Sequence, residues 1–253
     1  MVMASLPGGL GITGKVGNRA RVHVPAHEWG SLPAATDYWF FPKTDYLTAS
    51  APQLLSALGW IVAGTVSFVA GSGADFLSSS DRGTPPHFLC NATGERLTSP
   101  FIFGQDHVTR YIRQQLGWEP TKLIAEFSAV WTTASNADTT GGIGFVEAGG
   151  AIQTAADHMV MLTSDGTNFI LRSGAATTTF ALAVDTNPHI WRIVLDKGTG
   201  LATFQQDGVS IGTGGASGTG AIAIQADLWP AAFGAAVTSS NVLGLGPAHI
   251  YYD

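Results

Sequence analysis

The stretch HIWRIVLDKGTGLATFQQDGVSIG, His189 to Gly212, decides the fold. Trp191, Ile193 and Leu195 fall on one side of an extended chain, and Ile190, Arg192 and Val194 fall on the other. That is the two-residue period of a sheet with one buried face. Lys197-Gly198-Thr199-Gly200 is glycine-punctuated and reverses the chain, so Leu201 to Gln206 runs back. Asp207-Gly208 then supplies a tight second reversal, because such a turn needs positive φ and Asp-Gly tolerates it. Val209 and Ile211 resume the alternation.

Working outward, Lys122–Thr132 reads as a long strand, with Leu123, Ala125, Phe127 and Ala129 on one face and Ile124, Glu126, Ser128 and Val130 on the other. Gly141–Glu147, Met159–Thr163, Phe169–Arg172, Thr178–Val184, Ala221–Trp229 and Val242–Tyr252 follow as strands, with Asp165-Gly166 as a further tight turn. His107 to Gln115 fits a strand or a short helix. Short strands at regular spacing, joined by glycine-rich turns, describe a sandwich or jelly roll.

The pattern H-x-W-R-I-x-x-D…G…F-x-x-D-G-x-x-I resembles the central hairpins of concanavalin A-like lectin and glucanase domains. LGWEPTKLIAEFSAVW (116–131) is similar to an early strand of such domains, and LGLGPAHIYYD (243–253) to their closing strand. The resemblance covers roughly residues 105–253 and implies a concanavalin A-like jelly-roll sandwich there. The fold expected is therefore all-β: an extended N-terminal arm (1–45), a small irregular β-rich region (46–104) and the sandwich, with a boundary near Pro100.

The arm holds glycine, proline and little periodicity, with one short strand at Ala20–Val24. The aromatic run Tyr38, Trp39, Phe40 and Phe41 is costly to expose and supplies candidate contacts between subunits. Leu47 to Ala74 carries no charged residue, and its apolar part approaches the about 20 residues that span a bilayer. Three glycines and a β-branched, near-alternating IVAGTVSFVAG favour buried core strands, or a segment that faces another subunit, over a membrane helix. HFLCNATGERL (87–97) reads as a hairpin around Asn91–Glu95.

Chemistry is conspicuous by what is missing. Glucanases of this fold carry E-x-D-x-x-E on one strand, whose carboxylates face one another about 5 Å apart. Here Glu126, Glu147 and Asp196 are isolated, and neither the Arg/Glu strand nor the Q-x-H strand of similar polysaccharide lyases is present. No catalytic residue is expected. His23 and His27 flank Pro25, which breaks the helix that would bring them to one metal. Legume-type lectins hold calcium and manganese through clustered Asp and Asn; the nearest pair, Asn136 and Asp138, reads as turn residues. No metal and no cofactor are expected. The candidate glycan contacts are Trp118, Trp131, Arg192 and Trp229, all of which also fit core, rim or solvent-facing sheet positions.

Only 12% of the 253 residues are charged and the formal net charge is −6, which disfavours a nucleic-acid partner. Cys90 is the single cysteine, so no intrachain disulfide forms. The first residues lack the apolar run of a signal peptide, so export by the standard route is not expected. Sandwiches of this type without catalytic carboxylates resemble modules of bacteriophage decoration, fibre and tail proteins. That resemblance implies a non-enzymatic virion component, assembled in the host cytoplasm, with itself and other virion proteins as partners and a host surface glycan as a further one. A lectin-like glycan-binding module and, behind it, a glycan-cleaving enzyme are the alternatives.

Overall fold

The computed structural model describes residues 12–16, 19–24, 37–40, 60–69, 87–99, 103–105, 107–132, 137–147, 151–211, 221–224, 229–239 and 241–253. Two sheets form a sandwich. The front sheet runs β1 (Ile12–Val16), β2 (Arg19–Val24), β3 (Asp37–Phe40), β18 (Leu243–Tyr252), β8 (Lys122–Trp131), β13 (His189–Asp196), β14 (Leu201–Gln206) and β15 (Val209–Ser210). β16 (Ala221–Ala223) also pairs with β14, β6 (His87–Cys90) with β18, and β5 (Ser67–Val69) with β6. The back sheet runs β12 (Ala176–Ala183), β11 (Asn168–Ser173), β10 (His158–Asp165), β9 (Ala137–Val146), β17 (Ala232–Ala236), β7 (Arg96–Thr98) and β4 (Ile61–Ala63). Pairing is antiparallel throughout except between β2 and β3. The all-β jelly-roll sandwich expected from the sequence is the fold observed.

The alternation of the long strands builds the core. Trp191, Ile193 and Leu195 of β13 and Leu123, Ala125, Phe127, Ala129 and Trp131 of β8 are buried on the inner face, as their spacing predicts. They meet aromatics from the back sheet. The rings of Trp131 and Phe169 lie 5.0 Å apart, those of Phe169 and Trp191 4.7 Å, and those of Phe127 and Phe233 5.3 Å, inclined by 58–79°. Inclined contacts of this kind place a ring edge against a ring face. Each such aromatic removes about 150–250 Å² from water, worth roughly 4–6 kcal/mol at about 25 cal/mol per Å² before ordering costs.

The tight reversal at Asp207-Gly208 is as expected, with φ of +51° and +81°. Asp207 tolerates this because its carboxylate is occupied locally. It accepts from Ile190 N at 3.0 Å and lies 2.7 Å from His189 Nδ1, whose Nε2 is 3.0 Å from Asp185.

Several expectations change. Of the two alternatives for His107–Gln115 the helix is the one formed, a wide-turned π-helix over 107–116; His107, Val108 and Ile112 are buried, and His107 stacks on Tyr252. The reversal at 91–95 joins no hairpin: β6 enters the front sheet and β7 the back sheet. Glu95 holds that crossing, accepting from Asn91 N and Ala92 N on one oxygen and from Thr65 N on the other. Trp60, Val66, Phe88, Cys90 and Leu97 share one cluster with the residues of β8 and β13. Strands β4 and β5 are half-exposed, which departs from core strands and leaves the subunit-facing alternative untouched. Within 221–229 only β16 is a strand among the described residues. Short β17 has no alternation to reveal it, since Phe233 and Ala235 face the main core while Ala232 and Ala236 pack with Ile152, Val146 and Met161 on the opposite side.

Ile152 sits in a loop fastened by His158, which is fully buried with Nε2 2.7 Å from the Ile152 carbonyl. Burial lowers the His158 pKa from its ordinary 6.5, and the Arg172 charge adds to this while the carbonyl contact opposes it. The unfolded chain therefore binds a proton there that the folded chain refuses, so stability is complete above pH 6.5 and declines as pH falls below it. We predict that replacing His158 with Gln flattens the wild-type fall in melting temperature just below pH 6.5, a comparison that thermal unfolding across pH makes directly.

Candidate functional site

The outer face of the front sheet brings together a group of polar and aromatic side chains. Its register is set by four strands. His249 of β18 stands opposite Glu126 of β8, which stands opposite Arg192 of β13, which stands opposite Gln205 of β14. In the next row Tyr251, Ile124, Val194 and Thr203 are aligned. Facing residues of adjacent strands point to the same side, so each row is a line of neighbours.

β8 and β13 reach this face by plain alternation. β18 does not. Leu243 and Leu245 are buried, and so are Ala248, Ile250 and Tyr252. The inward parity switches between Leu245 and Ala248, where the register with β8 slips at Gly246-Pro247. A bulge of this sort inserts an extra residue and re-aims those that follow. Without it, His249 and Tyr251 would continue the inward set begun by Leu243. With it, they stand outside beside Glu126.

The four side chains touch. Tyr251 donates its hydroxyl to Glu126 Oε1 at 3.2 Å. Arg192 Nε lies 3.1 Å from the same oxygen, an ion pair without the alignment of a hydrogen bond. His249 and Tyr251 stack at 4.5 Å between ring centroids and 27° between planes. Burial raises the Tyr251 pKa, the Glu126 charge adds to this, and Arg192 pulls it back. The phenol thus stays protonated and keeps its donation to Glu126. Arg192 and Glu126 retain side-chain exposures of 35% and 41%, so the group is open to solvent on one side.

No family model matches this chain. No curated protein matches it either. Among solved structures it is similar to the botulinum neurotoxin serotype D binding domain, at TM-score 0.46 and 7% identity over 76% of this chain and 42% of that one. It is likewise similar to the cellulose induced protein Cip1, at TM-score 0.46 and 12% identity over 76% and 90% of the two chains. A carbohydrate esterase from the Shiga toxin-encoding bacteriophage phi24B gives TM-score 0.46 and 12% identity over 81% and 95%. The chain spans 42% of the first structures that it matches. These likenesses are coarse, and the chemistry of the outer face rests on this chain's own residues.

Of the residues singled out from sequence, Arg192 lies in this group. Trp131 and Trp229 are buried, at 2% and 4% exposure, and neither has a ring face to offer a ligand. Trp131 belongs to the aromatic seam between the sheets, and Trp229 packs against Tyr252 with Lys197 over its ring. Trp118 is partly buried against the core beyond the π-helix. Tyr38, Trp39 and Phe40 fall in β3, whose backbone pairs with β18, with Trp39 in register with His249. Phe41 lies outside the described residues, as do His27 and Asn136.

Asp138 is buried, and its oxygens accept from Thr140 N, Gly141 N, Thr238 N, Thr238 Oγ1 and Ser239 N. Those donors use the lone pairs a metal would need. Among the described residues no group of three His, Cys, Asp or Glu side chains is placed to hold a metal ion, and no helix is long and apolar enough to cross a membrane. Of the isolated acids, Glu147 directly follows β9 of the back sheet, while Asp196 stands opposite Lys122, four residues along β8 from Glu126. At about 3.3 Å per residue that is roughly 13 Å, too far for the about 5 Å or 6.5–9.5 Å of paired glycosidase carboxylates.

Proposed function

We propose that this chain is a non-catalytic, glycan-binding β-sandwich module, with the outer face around Tyr251, His249, Glu126 and Arg192 as its binding surface. The observation that carries this reading is the contact of an aromatic stack with an exposed ion pair on one rigid sheet. A pyranose ring has an apolar face that packs on an aromatic ring, and an edge of hydroxyl groups that both donate and accept. Tyr251 and His249 meet the first need; Arg192 and Glu126 meet the second. All four sit on strands, where packing fixes their positions. Only one carboxylate is present in the group, and it is tied to Tyr251 and Arg192. That arrangement suits holding a sugar rather than cleaving one. In glycan-binding assays Tyr251→Ala should lose about tenfold or more in affinity, as expected for an aromatic anchor, with an unchanged circular dichroism spectrum. Unaltered affinity in that variant contradicts the reading.

A second reading places the module in a bacteriophage virion as a decoration, fibre or tail component that associates with copies of itself and reaches host glycan through the same face. The edges of the sandwich favour it. β15 and β4 lie at sheet edges, and their Val209 and Ile61 are 69% and 45% exposed. Apolar edge strands are the places where chains add to one another unless something covers them. Full-length protein should therefore sediment as an oligomer, and the double variant Val209→Lys with Ile61→Lys should lower its mass. A wild-type monomer contradicts this second reading.

A further inference from the structure

We infer that Glu126 sets the charge class of the ligand, so that the outer face takes neutral, hydroxyl-rich sugars and disfavours sugars that carry a carboxylate. This rests on the glycan-binding reading above and adds to it the nature of the sugar. Glu126 Oε1 is used: it accepts from the Tyr251 hydroxyl and lies 3.1 Å from Arg192 Nε. Among the described residues no donor reaches Oε2, and the side chain is 41% exposed. The free oxygen is therefore an acceptor turned toward a ligand, beside a guanidinium whose other N–H groups are donors. Neighbouring hydroxyls on a sugar ring match that pair, one donating to Oε2 and one accepting from Arg192.

A sugar carboxylate cannot donate. It could reach Arg192 only by standing against the negative charge of Glu126, a few ångströms away. The charge of Arg192 is already offset by that same carboxylate. Further along the face, Lys122 and Asp196 lie 4.0 Å apart and offset one another, so they add no net positive charge to attract an acidic ligand. Like-charge juxtaposition of this kind suppresses wrong partners.

The test uses the full-length chain and three families of hexasaccharide, with gluco, manno and galacto backbones. Each is supplied neutral and with C6 oxidised to a carboxylate, and binding is measured by titration calorimetry at neutral pH. For any backbone bound, the neutral form should bind about tenfold or more tighter than its oxidised counterpart. Glu126→Gln keeps the shape and one acceptor but removes the charge, and should shrink or reverse that ratio. Equal or tighter binding of an oxidised form by the wild type overturns this inference and leaves glycan binding standing. So does a ratio that Glu126→Gln leaves unchanged. Binding to none of the six probes contradicts the glycan-binding reading itself, and this inference falls with it.

Discussion

A β-strand has two faces, and the seam of aromatic rings between the sheets claims one of them completely. Trp131 and Trp191 from the front sheet close on Phe169 from the back, while Phe127 and Phe145 close on Phe233. Because rings of that size fit in few arrangements, the seam fixes which residues of β8 and β13 point inward, and so fixes Glu126 and Arg192 outward. The same constraint acts on β18, which must supply Ala248, Ile250 and Tyr252 to the core beside Phe127 and Ala125. The slip at Gly246-Pro247 reconciles that demand with Leu243 and Leu245, which also face in. The outer group is thus a by-product of packing on the inner side: the core sets the parity, and the parity exposes His249 and Tyr251 next to the ion pair.

Much of this architecture is legible in the amino-acid sequence. Alternation in His189–Asp196 and Lys122–Trp131 marks the inner face, where Trp191, Ile193, Leu195, Leu123, Ala125, Phe127 and Ala129 are all buried, although Ile124 and Val130 on the outward set are buried too. Asp-Gly and Gly-rich reversals mark the turns, since few other residues adopt positive φ without cost. What stays hidden has physical causes. β17 is made of small residues that are buried on both sides, so it carries no period. The crossing at 91–95 reads as a hairpin because local chemistry specifies a reversal, not which sheet each arm joins. The 107–116 segment has the ambiguous spacing of a short amphipathic piece, and packing of His107 against Tyr252 belongs to long-range contacts that no local pattern reports.

The candidate site is the least legible part. Arg192 can be marked as an outward charge, but its partners come from strands at distant places in the chain, and only register brings Glu126 between Arg192 and His249. Tyr251 and His249 are obscured further, because counting by twos from Leu243 assigns them to the core. Gly246-Pro247 is the available signal: proline cannot donate to a ladder, and within sheets it marks edges and bulges. The large tryptophans mislead in the opposite sense. Trp131 and Trp229 have the chemistry of sugar platforms, yet size and apolar character draw such rings into the seam, and smaller half-exposed rings are left at the surface.

The switch of parity in β18 is the claim on which the site depends, and thiol accessibility measures it most directly. Tyr251→Cys and Ile250→Cys each place one new thiol on adjacent positions of the strand. Cys90 is a silent reference, since burial, and after it the Glu95 charge, push its pKa up to about 12. With a charged thiol reagent under native conditions, the account predicts rapid modification at position 251 and strong protection at position 250. Protection at 251 with rapid modification at 250 would contradict it, because the strand would then alternate unbroken from Leu243 and the outer face would lose both of its rings.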